Sequence, residues 1–245
     1  MGAHLILGGG GGIGSCVARR LAARGEQVAI AARSRAALDR VATETGATPF
    51  ELDASDVAAV EACADALIER WGQLDGIVNC CGSLLLKPAH LTTVDEWQAT
   101  LSANLTTAFA AVRAAARCMS KRGGGVVLMS SAAARIGLAN HEAIAAAKGG
   151  VAGLALSAAA TYAAKGIRVN VVAPGLVRTP LTERITTNAA ALAASTGMHA
   201  LGRIGEADEV AAMIDWLLDE RQGWITGQVF GVDGGLATLK TRAKA

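Results

Sequence analysis

Seven residues near the amino end, Gly8-Gly9-Gly10-Gly11-Gly12-Ile13-Gly14, combine six glycines with one isoleucine. A phosphate group needs bare backbone N–H groups and close approach, and glycine provides both. The run follows an apolar stretch, His4-Leu5-Ile6-Leu7, and leads into Ser15-Cys16-Val17-Ala18-Arg19, whose pattern is helical. A helix starting there adds the positive end of its dipole. A glycine run alone reads equally as a flexible loop. Strand before and helix after are the context in which it reads as a pyrophosphate cradle. The second apolar stretch ends Ala29-Ile30-Ala31-Ala32-Arg33-Ser34. A dinucleotide site that selects an unphosphorylated ribose puts a carboxylate at this strand end. Ala32, 18 residues beyond Gly14, occupies that place, and Arg33 and Ser34 follow. No carboxylate repels a 2′-phosphate and a guanidinium attracts one, so NADP(H) is expected over NAD(H). The plainer alternative is that Arg33 only solvates the strand end.

The five cysteines, Cys16, Cys63, Cys80, Cys81 and Cys118, show no metal-ligand spacing and no His cluster. They read as free thiols of a reducing compartment, and no metal site is expected.

The elements that must carry these residues alternate. Short apolar runs near 3–7, 27–32, 47–52, 74–79, 125–130, 167–172 and 227–231 read as strands. Longer periodic stretches near 12–24, 35–45, 56–70, 93–120, 141–165 and 207–219 read as helices. This alternation predicts an α/β fold of the Rossmann type, with a doubly wound parallel sheet of about seven strands and helices on both faces. The 245 residues fit a single dinucleotide-binding domain, and 52% hydrophobic against 18% charged residues permit a large core. Residues 180–205 break the rhythm with a long Thr- and Ala-rich excursion after a strand end, which predicts a substrate lid. An ordinary surface connection is the alternative.

The net charge of +2 is spread over interspersed signs, which excludes a nucleic-acid stripe and a polybasic membrane patch. A strand starts almost at residue 3, leaving no room for a signal peptide, and the uncharged stretch 149–164 is short for a bilayer. A tightly packed buried or intersubunit helix explains that stretch better, and a cytoplasmic protein is expected.

Several motifs occur in one order along the chain. They are the spacing Gly8-x-x-x-Gly12-x-Gly14, then Leu52-Asp53, Asn79-Cys80-Cys81-Gly82, Pro174-Gly175-Leu176-Val177-Arg178-Thr179 and the segment Trp224 to Gly235. Together they resemble the short-chain dehydrogenase/reductases, and the 3-oxoacyl-acyl carrier protein reductases among them, from residue 3 to about 236. The resemblance implies that Gly8, Gly10, Gly11, Gly12, Ile13 and Gly14 cradle the pyrophosphate. It puts Asp53 at the adenine amino group, Asn79 and Gly82 along the sheet edge, and Pro174, Gly175, Val177 and Thr179 at the nicotinamide carboxamide. The chain departs from the family in having Leu7 where a Thr usually precedes the first glycine. It departs again at Cys80-Cys81, where the family has Asn-Ala.

The same resemblance implies a catalytic Asn, Ser, Tyr and Lys. Asn104, Ser131 and Lys148 match three of them, with Lys148 also holding the nicotinamide ribose. The Tyr should stand four residues before the Lys and 13 after the Ser, and both intervals land on Ile144. The chain's one tyrosine, Tyr162, lies several turns farther along the same helix. Isoleucine can neither give nor take a proton. His141, seven residues before Lys148, shares a helix face with positions 144 and 148. It stands where enoyl-acyl carrier protein reductases carry their tyrosine. In a first helical turn after an N-cap at Asn140, it would be a neutral N–H donor. A solvent-exposed histidine at a helix start is the alternative.

Three functions are consistent with this. One is NADP(H)-dependent reduction of an activated C=C bond, with Ser131 and His141 stabilising an enolate. A second is carbonyl reduction with water, held by Asn104 and Lys148, as the acid. A third is a catalytically silent NADP-binding sensor or assembly partner. The substrate is expected to be a small, largely apolar molecule, and the Ala- and Gly-rich helices predict a homotetramer or homodimer.

Overall fold

The first strand, β1 (Ala3–Leu7), is buried along its whole length, with Leu5 and Leu7 facing one layer and Ile6 the other. A strand covered on both faces must lie inside a sheet with helices on each side. The computed structural model describes residues 1–240. The strands continue as β2 (Gln27–Ala32), β3 (Thr48–Glu51), β4 (Gly76–Asn79), β5 (Gly124–Met129) and β6 (Ile167–Pro174). Two-residue strands β7 (Val177–Arg178) and β8 (Gly205–Glu206) come next, and then β9 (Val229–Val232). Seven of them form one parallel sheet in the order β3-β2-β1-β4-β5-β6-β9, while β7 pairs with β8.

The helices are α1 (Gly12–Ala23), α2 (Arg35–Thr45), α3 (Val57–Trp71), α4 (Val94–Leu101), α5 (Thr107–Cys118), α6 (Glu142–Tyr162), α7 (Glu183–Thr186), α8 (Ala189–Met198) and α9 (Ala207–Leu218). One layer is closed by α1, α2 and α9 through Val17, Leu21, Leu38, Val41, Ile214 and Leu217. The other is closed by α3, α5 and α6 through Val60, Leu67, Ala111, Ala115, Val151 and Ala155. Side chains at Ser34, Asp56 and Thr93 cap the starts of α2, α3 and α4. The expected doubly wound sheet with helices on both faces is the observed one.

Strand order reverses between β1 and β4. The loops after these two strands therefore leave in opposite directions and open a crevice at the carboxyl edge, where doubly wound sheets hold ligands. That crevice is where the glycine run and Asn79–Gly82 arrive.

Three details differ from the sequence expectation. The helix expected over 93–120 is broken by a π turn at Ser102–Thr106 between α4 and α5. Asn104 sits in that turn, and its side-chain amide bonds the Thr100 carbonyl at 2.9 Å, filling the widened turn. The excursion 180–205 is no open loop but carries α7 and α8, with no residue of α8 buried. Helix α6 and the turn after it, 142–165, are long and apolar enough to cross a membrane. In this fold one side of α6 is buried on the sheet through Val151, Ala155, Ala158 and Ala159.

Candidate functional site

The crevice begins at the glycine run, and the local geometry says why the residues are glycine. Gly8 has φ +77°, and a Cβ there would lie 2.8 Å from the backbone of Cys80 and Cys81. The loop after β1 thus rests directly on the loop after β4. A Cβ on Gly14 would lie 2.3 Å from the Gly8 carbonyl oxygen, and one on Gly12 2.8 Å from the Thr179 methyl. Gly10 packs on α2, where a Cβ would lie 3.1 Å from Ala37, while Gly11 precedes α1 with no side chain capping the helix. Gly9, which the sequence reading did not single out, has a structural duty: its Cβ would strike Ile30 at 2.6 Å. These contacts leave a close-fitting cradle of bare backbone at the start of α1, in which a Cβ at Gly8, Gly9, Gly12 or Gly14 would strike neighbouring protein atoms. A dinucleotide pyrophosphate fits it. Ile13 lies in the first turn of α1 and is partly buried.

At the end of β2, Arg33 is exposed and makes no ion pair among the described residues. Ser34 is occupied as the N-cap of α2, accepting the Ala37 amide at 3.3 Å. Asp53 Oδ1 accepts the Ser55 amide at 2.9 Å and its hydroxyl at 2.8 Å. These bonds hold the Asp53 carboxyl below its usual range, with nearby Arg33 adding to the effect.

Across the crevice, Asn79 Nδ2 donates to Thr107 Oγ1 at 3.1 Å and its Oδ1 accepts the Cys81 amide at 3.1 Å. Its side chain therefore shapes the loop. A Cβ on Gly82 would lie 2.9 Å from Asn104 Oδ1 and 3.5 Å from Lys148 Nζ, so the three residues converge. Asn104 is fully buried and tied to Ser83, whose amide it accepts at 3.3 Å and whose hydroxyl it meets at 3.0 Å. Lys148 is buried on α6 and donates to the Met129 carbonyl at 2.9 Å. Burial lowers its ammonium pKa to about 8. No carboxylate compensates; the ionisable neighbours are Cys81 and Cys80, whose thiols burial pushes upward, to about 12 for Cys81.

Ser131 follows β5, partly buried, and accepts the Ala133 amide at 3.2 Å, which leaves its hydroxyl hydrogen to donate. Its neighbour Ser130 is the residue that anchors α6, donating to the Lys148 carbonyl at 2.8 Å. Ser83 and Ser130 were legible only as polar residues beside the chosen ones. Ile144 is buried one turn before Lys148 on the same face, and Tyr162 ends the helix about 27 Å away along the axis.

His141 requires a correction. It is itself the residue preceding α6 rather than part of its first turn, and Asn140 before it is in the left-handed region at φ +63°. Its Nδ1 lies 2.7 Å from the Ala139 carbonyl. A carbonyl only accepts, so Nδ1 carries the hydrogen and the free Nε2 of the neutral ring is an acceptor, not the donor expected from sequence. Only the imidazolium would present a second N–H.

The Pro174–Thr179 segment leaves β6 and reaches back to the cradle. Gly175 donates to Val232 at 3.2 Å, Val177 is buried in β7, and Thr179 packs its methyl on Gly12. Thr179 Oγ1 lies 3.1 Å from Thr182 Oγ1. Among the described residues there is no cluster of metal-binding side chains. A separate cleft of about 890 Å³, lined by His4, Arg24 and Arg168 among others, opens at the opposite, amino edge of the sheet.

With this geometry in view, comparison with known proteins is specific. A family model described as enoyl-(acyl carrier protein) reductase matches residues 9–237. The chain is 36% identical to trans-4-hydroxycyclohexanecarboxylate dehydrogenase of Sinomonas cyclohexanicum, covering 94% of this chain and 91% of that protein. It is 32% identical to a 3-oxoacyl-[acyl-carrier-protein] reductase of Thermotoga maritima, covering 95% and 96%. A solved short-chain type dehydrogenase/reductase from Mycobacterium ulcerans superposes with a TM-score of 0.93 at 32% identity, covering 96% of this chain and 90% of that one.

Proposed function

The chain belongs to the short-chain dehydrogenase/reductase superfamily of NAD(P)-dependent oxidoreductases, and from that premise we propose that it uses NADP(H) in an active site that works without a tyrosine. The observation that carries the proposal is the buried Ile144, one turn before the buried Lys148 on the same helix face. Bound in the cradle, the cofactor would supply or take a hydride. Gly8, Gly10, Gly11, Gly12, Ile13 and Gly14 would hold its pyrophosphate, Arg33 and Ser34 the 2′-phosphate, and Asp53 the adenine. Asn79, Gly82 and Lys148 would hold the nicotinamide ribose side, and Pro174, Gly175, Val177 and Thr179 the carboxamide. The fit of the bare-backbone cradle supports the first of these, and the guanidinium of Arg33, unpaired among the described residues, supports the second.

The substrate side then follows from what each group can do. Ser131 donates its hydroxyl hydrogen to a substrate oxygen. Asn104 and Lys148 order water in the buried corner. His141 is the remaining titratable side chain on that helix face, accepting a proton at Nε2 when neutral and donating one when charged. Such a set stabilises negative charge better than it delivers a proton. An activated C=C bond suits it, because conjugate reduction spreads charge over an enolate that solvent can protonate on carbon. An isolated ketone gives an alkoxide that needs an acid at once, and losing that acid costs on the order of 10² to 10⁴ in rate. The excursion 180–205, with its exposed α8, is read as the lid over a small, largely apolar substrate. The exposed Gly149, Gly153 and Leu156 on α6 are read as a face that pairs copies into a homodimer or homotetramer.

Titration with NADPH and NADH tests the cofactor, and Arg33→Ala should narrow the difference; equal affinities in the unaltered protein would refute the preference. Turnover of NADPH with an α,β-unsaturated ketone against its saturated analogue tests the reaction. Brisk reduction of the saturated ketone would mean another acid is in place. Ile144 also favours a second reading, a silent NADP-binding sensor or assembly partner. Tight NADPH binding with no turnover on any acceptor, and none gained by Ile144→Tyr, would select it.

A further inference from the structure

The excursion after β7 returns to the sheet through His199, a residue to which the reading above gives no role. His199 is 4% exposed. Its Nδ1 donates to the Ser195 carbonyl in the last turn of α8 at 2.7 Å, and its Nε2 accepts the Leu176 amide at 3.1 Å. A carbonyl can only accept and an amide N–H can only donate, so these two contacts select one neutral tautomer. Gly175 makes room for the ring, and Gly234 lies in ordinary contact with it. A Cβ on Gly175 would lie 2.5 Å from Nε2, and one on Gly234 3.6 Å from the ring carbon Cδ2. One imidazole therefore ties the carboxyl end of α8 to the backbone directly ahead of Val177 and Thr179.

We infer that His199 is a positioning residue: as a neutral imidazole it latches the excursion onto the Pro174–Thr179 loop, and protonation at Nε2 opens the latch. The inference rests on the assignment of that loop to the cofactor. Its chemistry is one of lone pairs. A protonated Nε2 has no acceptor left and turns an N–H toward the Leu176 N–H, so a buried donor loses its partner. The charged residues lining the adjoining cavity of about 320 Å³ are Arg203, Glu209 and Asp233. Arg203 and Glu209 pair with each other at 2.6 Å, and Asp233 accepts the amides of Gly235 and Ala237 at 3.0 and 3.1 Å. Arg135 lies farther out, its guanidinium against Gly231. The carboxylates are thus already engaged, and the cavity gives the released loop room to move.

The test uses the whole protein at about pH 8 and about pH 5.5. Trypsin cleavage after the exposed Arg184 in α7, normalised to cleavage after the exposed Lys121, reads the latch. Calorimetric NADP⁺ binding reads the loop. The wild type should be cut about fivefold faster, and bind NADP⁺ about fivefold more weakly, at the lower pH, as for one lost hydrogen bond. His199→Gln, whose amide offers both an acceptor and a donor, should stay protected at both values; any weakening it shares with the wild type measures titration of the ligand's own phosphate. His199→Leu should be cut fast and bind weakly at both. A Leu variant as protected as the wild type, or an identical pH dependence in wild type and Gln variant, would overturn the latch. Altered cleavage with unchanged NADP⁺ affinity would overturn its coupling to the loop. Failure of the wild type to bind NADP⁺ at the higher pH would refute the cofactor assignment itself, leaving cleavage to decide the latch alone.

Discussion

Replacing Lys148 with methionine should make the protein more stable and less able to bind its cofactor. Lys148 is buried, its only hydrogen-bond partner among the described residues is the Met129 carbonyl, and its pKa falls from 10.5 to about 8. The lowered value means that the folded state holds the proton less tightly than the unfolded chain. Below about pH 8 the lysine is charged in both states and the full burial penalty applies; from about 8 to 10.5 the folded form sheds its proton first and the penalty is relieved. At roughly 1.4 kcal/mol per unit, the shift corresponds to a penalty of roughly 3 kcal/mol at neutral pH. The lost hydrogen bond offsets roughly 1 kcal/mol of that, leaving a net gain of about 2 kcal/mol. For a domain of this size that is a rise in Tm of about 4–8 °C. Urea denaturation of wild type and Lys148→Met without cofactor, at about pH 7 and about pH 10, measures it. The variant should lead at the lower pH, and its lead should shrink at the higher one. A variant less stable at neutral pH, or a difference that does not change with pH, would refute the reasoning. NADPH binding by the variant should be lost or weakened strongly, because the ammonium is proposed to hold the ribose.

Other outcomes follow from the same geometry. Gly14→Ala drives a Cβ to 2.3 Å from the Gly8 carbonyl, whereas Gly11→Ala meets nothing closer than 3.3 Å; fluorescence titration should show NADPH affinity reduced about tenfold or more by the first and little changed by the second. His4 is buried with an unpartnered Nδ1, and burial holds its pKa below 6.5. The unfolded chain therefore binds the proton first, and stability should fall as pH drops below 6.5, by up to about 1.4 kcal/mol per pH unit; His4→Leu should flatten that limb in acid denaturation. Gly149 and Gly153 in α6 have open space where a Cβ would stand. If this face pairs copies, Gly153→Ala should lower the assembly state in sedimentation; an unchanged assembly with stability raised by about 1 kcal/mol would show a face open to water.

The sheet was legible because its signals are local and repeated. Short β-branched runs separated by capped helices leave few alternatives, and the glycine run could be interpreted from the strand before it and the helix after it. Features that depend on a partner in space were not legible. Nothing in Leu101-Ser102-Ala103-Asn104 announces a π turn, because the turn is held by Asn104 reaching back to Thr100 while Ser83 arrives from another loop. His199 carries no motif, and its meaning comes from two contacts 4 and 23 residues away. His141 shows the limit most clearly. Helical phase spoke only to which side of α6 it would share, whereas the tautomer was decided by a carbonyl two residues back, and that reversed the sense in which the neutral ring can act.

That reversal bears on how charge can move in the crevice. Lys148 is positive below about pH 8 and has no acidic partner among the described residues, and the two nearby thiols are held protonated by burial. Ser131 is free to donate, and Ile144 contributes neither proton nor charge. The groups nearest the expected reaction therefore tolerate added negative charge and offer no anion to receive a proton. His141 Nε2 is an acceptor at the solvent end of the helix face, about 10 Å along the axis from Lys148. Proton transfer and charge stabilisation are thus separated in space, whereas a tyrosine at position 144 would have joined them at one atom. A reaction whose anion can wait for its proton is the one this arrangement suits. For that reason Ile144→Tyr should help a saturated ketone far more than an α,β-unsaturated one.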